Sequence, residues 1–233
     1  MSGIILVVYI LAGVLPALFL MRYIYLKDKI EKEPLPMLMK LCLSGIYAAF
    51  LALLLEMLGG ELLANMQFSS RTYFVIADAV MIGISEELSK YFFLYRRTWR
   101  SPHFNYRYDG VVYAVFVSLG FAAFENVMYL LQYGLSIAVS RGLLAVPAHM
   151  AFGVFMGSFY GSAKIYDVYG KEGKAFLYNF FGVFVAAALH AFYDACAMLD
   201  NDTAMMLFIG FVIVMYIVVI HKVRHESRTD RPI

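Results

Sequence analysis

Seven apolar stretches divide this chain, and they constrain its fold before any other feature does. They run over residues 4–22, 37–58, 73–94, 109–133, 141–163, 175–198 and 203–221. At 1.5 Å per residue, each is long enough to cross the roughly 30 Å hydrocarbon layer of a bilayer as a helix. Inside that layer backbone N–H and C=O groups find no water, so the chain must satisfy them within itself. Composition agrees: 62% of the residues are hydrophobic and 15% are charged, with a mean hydropathy of +0.72. Soluble domains carry about 25% charged residues. The expected fold is all-α, a polytopic transmembrane helical bundle of about seven spans, forming one integral-membrane domain over residues 1–233.

The loops give this bundle a direction. Arg22, Lys27, Lys29 and Lys32 follow the first span, and Arg96, Arg97, Arg100 and Arg107 follow the third. Lys164, Lys171 and Lys174 follow the fifth, and Lys222, Arg224, Arg228 and Arg231 the seventh. The loops after spans two, four and six are nearly free of Lys and Arg. Cytoplasmic loops carry the excess of Lys and Arg, so the N-terminus is expected outside and the C-terminus inside. No basic segment precedes the first span, which therefore reads as an uncleaved anchor and not a signal peptide. The bilayer is the expected partner surface. No nucleic-acid signature is present, and Cys42 and Cys196 lie in apolar runs as small core residues.

The third span contains Gly83-Ile84-Ser85-Glu86-Glu87-Leu88-Ser89-Lys90. A charged group at the centre of a membrane helix costs about 2.5–3.5 kcal/mol on insertion scales. Glu86 and Glu87 stand four and three residues before Lys90, so the ammonium can reach either carboxylate. One Lys neutralises one Glu, and a surplus acid remains. Other spans add Glu125 and Asn126, His149, and His190 with Asp194. Groups drawn from four spans imply one shared interior site. Counted along the helices, Glu125, His149, His190 and Asp194 fall in the outer half of the bilayer and Glu86 near its middle. The core of the site is expected within about residues 73–198. Asp78 near a span end, and His103, His221 and His225 outside the spans, read as solvent or structural groups.

A desolvated carboxylate beside an imidazole suits water activation, and a second imidazole can stabilise an oxyanion. His190 and Asp194, four apart on one helical face, form a local pair. Those are the parts of a peptide hydrolase without a covalent nucleophile. The catalytic candidates are Glu86, Glu87, Glu125, His149, His190 and Asp194, with Lys90 and Asn126 supporting. Glu87 with Lys90 reads equally well as a structural ion pair, and Asn126 as interhelical glue. There is no His-Glu-x-x-His helix, so no cofactor is expected. Zinc remains possible, with Glu86, Glu125, His149 and His190 as ligands. The same groups also suit a proton relay in a transporter or channel.

Four ordered motifs resemble one family: Glu86-Glu87-x-x-Lys90, Phe121-x-x-x-Glu125-Asn126, His149-x-x-x-Gly153 and His190-x-x-x-Asp194. Together they resemble the PrsW family of bacterial membrane proteases, which begin destruction of an anti-sigma factor. The flanks Tyr108 to Tyr113, Leu119 to Ala122, and Gly157 through Gly161 to Lys164 agree. The resemblance implies a multi-pass protein of the bacterial cell membrane. It implies a single-span, anti-sigma-factor-like substrate and an envelope-stress response. The family is distantly similar to the CAAX prenyl proteases. By that analogy Glu86 and His149 activate water without a metal, while His190 and Asp194 hold the oxyanion side. The CAAX enzymes carry His where this chain has Glu125, so Glu125 either shares the base role or positions His149.

The topology can be checked by labelling single cysteines in intact cells with a membrane-impermeant reagent. A cysteine placed near Ser101 should stay unlabelled from outside, and one between Gly59 and Arg71 should react. Labelling near Ser101 from outside would overturn the orientation.

Overall fold

The computed structural model describes residues 3–233, and its long elements are helices. They are α1 (Gly3–Lys27), α2 (Leu35–Ala64), α3 (Arg71–Thr98), α4 (Asp109–Tyr133), α5 (Ala138–Leu143), α6 (Ala145–Val168), α7 (Glu172–Met198) and α8 (Asp202–Arg228). A single 3₁₀ turn, Leu135–Ile137, precedes α5. Seven of the helices are long, and six segments are long and apolar enough to cross a membrane. The remaining long helix is α3, whose apolar run is interrupted by Asp78, Glu86, Glu87 and Lys90.

The most buried helix is α4, with an unbroken buried run from Asp109 to Ala122. It packs against α1, α2, α3 and α6, and α7 closes the bundle between α3 and α6. The rim reverses the pattern of a soluble protein. Phe19, Met57, Phe176, Met206 and Val214 are all exposed, an apolar outer surface suited to lipid. The two cysteines are free.

Two expected boundaries change. Gly59-Gly60 does not end α2, which runs on to Ala64. Glycine in a helix costs about 1 kcal/mol relative to alanine, a penalty and not a stop. Here the bare Gly59 backbone lies against Met81, where a Cβ would come within 2.6 Å of the side chain. The fifth span, expected over 141–163, is two pieces. The chain breaks at Leu144, and Pro147 sits in the first turn of α6, where its missing N–H costs nothing. The Tyr216 hydroxyl on α8 lies 3.0 and 2.9 Å from the carbonyls of Leu143 and Leu144; Leu144 also accepts from Ala148 N–H, so the hydroxyl's one hydrogen serves the Leu143 carbonyl.

The basic loops gather at one end of the bundle. Residues after α8 pair with the α3–α4 loop through an isolated bridge between Tyr106 and Pro232. Arg107 N–H donates to the Arg231 carbonyl at 3.0 Å, and Ile233 N–H to the Asn105 carbonyl at 2.8 Å. The Ser227 hydroxyl donates to the Lys27 carbonyl, tying α8 to α1.

Beneath this seam lie the buried carboxyls of Asp28 and Glu33, in the α1–α2 loop. Burial pushes Asp28 up to about 6, against the pull of Lys32, and pushes Glu33 up to about 7. A carboxyl raised in the folded state binds its proton more tightly there than when unfolded. These two groups therefore favour the fold below their ordinary range near pH 4, and stability falls as pH rises through about 6–7. Glu33→Gln should raise the melting temperature in detergent at pH 8 and leave it nearly unchanged at pH 4.5. A gain of equal size at both values would remove Glu33 as the titrating group.

Candidate active site

The site begins with spacing on α3. Glu86, Glu87 and Lys90 share one face, and the ammonium bridges both acids, 2.9 Å from Glu86 Oε2 and 2.7 Å from Glu87 Oε1. The sequence had suggested one neutralised glutamate and one surplus. Instead both lean on the same lysine, which also lies over the Phe121 ring at 4.0 Å. Lys90 Nζ is 3.1 Å from His149 Nδ1 as well. Since an ammonium only donates, His149 accepts at Nδ1 and carries its hydrogen on Nε2. That hydrogen faces Glu125 Oε2 at 3.2 Å.

His190 completes the other side. Its Nδ1 lies 3.0 Å from Glu87 Oε1, and its Nε2 lies 3.3 Å from Asp194 Oδ2. Both ring nitrogens face acceptors, which requires two N–H donors on the ring or a cation beside it. Phe152 stacks on His190 at 4.7 Å, and the two imidazoles meet edge to face at 5.3 Å. Both Nδ1 atoms face Glu86 Oε2, at 4.0 Å from His149 and 3.8 Å from His190. Each ring thus has a carboxylate behind it and Glu86 in front.

Two glycines of the sequence motifs let the helices close this far. A Cβ on Gly83 would lie 2.9 Å from the Ala187 carbonyl oxygen and from the Ala191 nitrogen, so α3 touches the α7 backbone beside His190. A Cβ on Gly153 would lie 2.8 Å from Ser118 Oγ, where α6 meets α4 one turn from His149.

All six catalytic candidates and Lys90 come together. Asn126 donates to the Gly13 carbonyl on α1 at 3.1 Å, joining α4 to α1. Asp78 makes none of the cluster's contacts among the described residues. Two residues were missed. Arg141, on α5, donates to Glu125 Oε2 at 2.8 Å and to Asn126 Oδ1 at 2.9 Å. Its signal was in the sequence: a cation in a loop where the charge rule expects none. Glu56 of α2 joins Glu86, Glu125, His149, His190 and Asp194 in lining a cavity of about 660 Å³. It is an acid in an otherwise apolar run, and so a signal of the same kind as Glu86. Glu87 does not line this cavity.

The site also fits a divalent cation. Glu86, Glu87, His149 and His190 each offer a ligand atom, all within 4.8 Å of one another. Two imidazoles with carboxylate oxygen suit zinc, and a carboxylate behind each ring is the usual support for a ligating histidine. Glu87 Oε2 is buried without a hydrogen-bond partner. Five carboxylates, Glu56, Glu86, Glu87, Glu125 and Asp194, stand in or beside the cavity against two permanent cations, Lys90 and Arg141, an excess of negative charge that favours a bound cation. Glu125 belongs behind His149 and outside this donor set, and Glu87 takes the place that the sequence had given it.

Buried acids and imidazoles around a cavity inside a membrane bundle suit either a proton relay or an intramembrane hydrolase, and the sequence relatives decide for the hydrolase. The profile described as PrsW family intramembrane metalloprotease matches residues 33–221, and the chain belongs to that family. A protease PrsW of Halalkalibacterium halodurans is 31% identical over 220 residues, covering 94% of this chain and 97% of that one. The Geobacillus kaustophilus protease PrsW is 35% identical over 183 residues, 78% of this chain and 76% of the other. The Bacillus subtilis protease PrsW is 32% identical over 183 residues, 78% and 79% of the two chains. No solved structure matches. The protein is a protease and a multi-pass bacterial membrane protein. The family's description as metalloproteases runs against the metal-free expectation and agrees with the donor set.

Gly83→Ala should cost about 1–3 kcal/mol, because the added methyl meets backbone and not a flexible side chain. Gly173→Ala, in a helix with open space around it, should be neutral or stabilising by up to about 1 kcal/mol. Thermal unfolding in detergent measures both, and equal melting temperatures would refute the close-approach role of Gly83.

Proposed function

We propose that the chain makes the first cut in a single-span membrane protein of the anti-sigma-factor kind, with Glu86 taking the proton of the attacking water. One observation carries the choice of base: of two adjacent glutamates, Glu86 lines the cavity and Glu87 does not. Glu87 is fully buried and committed to Lys90 and His190, which suits it to holding the others in place. Proteases of this family act within a membrane, so a membrane-anchored substrate follows. The anti-sigma-factor class comes from the resemblance of the motifs.

Glu86 receives the proton from water and later returns it to the leaving amine. Lys90 donates to Glu86 and fixes its direction. His190, oriented by Asp194, faces the side where the carbonyl oxygen gains charge. Phe121 and Phe152 keep bulk water from the centre. Glu87, His149 and His190 would hold a divalent ion beside Glu86, and that ion would supply Lewis acidity toward the peptide carbonyl. The cavity lies toward the end of the bundle away from the basic loops, lined there by Gln132, Tyr133, Ser140 and Met198. With the orientation read from the charges, the cut falls near the outer face.

Glu86→Gln should lower cleavage by at least about 100-fold with normal folding. Glu87→Gln should mainly lower the melting temperature. A stable but inactive Glu87 variant beside an active Glu86 variant would reverse their roles. Purified active protein should hold about one zinc ion per chain, lose activity to a strong chelator and regain it with zinc. Full activity in chelator, with no metal in elemental analysis, would refute the metal site.

A further inference from the structure

We propose that Arg141 is a positioning residue for the hydrolysis: from the short helix α5 it holds Glu125 against His149 Nε2 and so fixes the direction of His149 Nδ1. This rests on the roles given above to Glu86 and His149. The Glu125 oxygen that accepts from Arg141 Nη2 at 2.8 Å is the one that faces His149 Nε2 at 3.2 Å. On the far side of the ring, Nδ1 faces Lys90 at 3.1 Å and Glu86 at 4.0 Å. A line of contacts thus runs from the guanidinium to the acid that works on water.

The guanidinium is held in a fork. Its Nε donates to Asn126 Oδ1 at 2.9 Å, and its carbon lies 3.8 Å from the Tyr129 ring. Glu125, Asn126 and Tyr129 lie within one turn of α4, so Arg141 reads three adjacent features of one helix. Glu125 needs this restraint. Its side chain is 21% exposed at the cavity, where water competes for its oxygens. A lysine would supply the charge and not the planar fork.

The break at Leu144 is what makes the contact available. In an unbroken helix, Arg141 would sit about 12 Å along the axis from His149. Instead α5 is a separate element, fixed by Tyr216 of α8 at its end and by Pro16 of α1, 3.2 Å from where a Cβ on Gly142 would lie. Helices that contribute no atom to the cluster, α1 and α8, thereby set the place of Arg141.

The test is a double-mutant cycle on the full-length protein in detergent, with a fluorescein-labelled single-span anti-sigma factor that the wild type cleaves. Arg141→Gln should lower kcat by about 10–100-fold, the usual loss when such a support is removed, with KM changed less than about threefold. Arg141→Lys should keep the wild-type melting temperature and still lose about tenfold in kcat. Because Arg141 acts through Glu125, adding Arg141→Gln to Glu125→Gln should cost nothing further. If Arg141→Gln fails to fold, the same cycle is run with Arg141→Lys. Losses that multiply in the double variant, or wild-type kcat in Arg141→Lys, would overturn the role. Cleavage retained by Glu86→Gln would sink the reading of the site and the Arg141 role with it. An inactive Glu86→Gln with multiplying losses would remove Arg141 alone.

Discussion

The bundle depends on the burial of Glu86, Glu87 and Lys90 side by side in a helix otherwise surrounded by apolar groups. Taking an ion out of water costs several kcal/mol even after relaxation, and attraction repays this only with close, complete partners. One ammonium between two carboxylates leaves a third N–H, a negative charge and open lone pairs. Those can be met only by groups from other helices. His149 arrives from α6 and His190 from α7, each with its own acid behind it. The convergence of these helices is therefore a condition for placing α3 inside the bundle at all. Removing Lys90 leaves two adjacent buried carboxylates with no cation on α3 to answer them.

This dependence explains why no local zinc motif marks the chain. In a His-Glu-x-x-His helix, one turn supplies most of the donors. Here the donors come from α3, α6 and α7, and their supporting acids from α4 and α7. The pattern is visible only when the spans are counted and their polar residues are set at a common depth.

Much of the fold was legible for the same reason. Long apolar runs and alternating basic loops define seven helices, and ionisable residues inside them stand out against the background. What was not legible depends on contacts between helices. Nothing in Gly59-Gly60 says that a neighbouring Met81 will pass beside the bare backbone and let α2 continue. Nothing near Leu144 says that Tyr216, far along the chain, will donate to the Leu143 carbonyl left open at the break. Arg141 stands at a span boundary in the sequence, and only the break at Leu144 turns it back onto Glu125. The choice between Glu86 and Glu87 turned on one helical step. Adjacent residues point about 100° apart, and only the packing tells which of them meets open space.

The seam between the α3–α4 loop and the residues after α8 bears on how the molecule is made. Tyr108 N–H donates to Asp230 at 2.9 Å across 122 residues of chain. During synthesis the α3–α4 loop emerges and waits while four further long helices, α4, α6, α7 and α8, are threaded into the bilayer. Asp194, the last member of the cluster, enters on α7, and only then do α8 and the residues behind it arrive to close the far end. A ribosome-bound intermediate thus already holds both buried glutamates on α3 before their histidine partners exist. In that interval those charges depend on whatever the insertion machinery offers, such as water or lipid headgroups. Assembly order, as much as the finished packing, then decides how many copies reach the membrane intact.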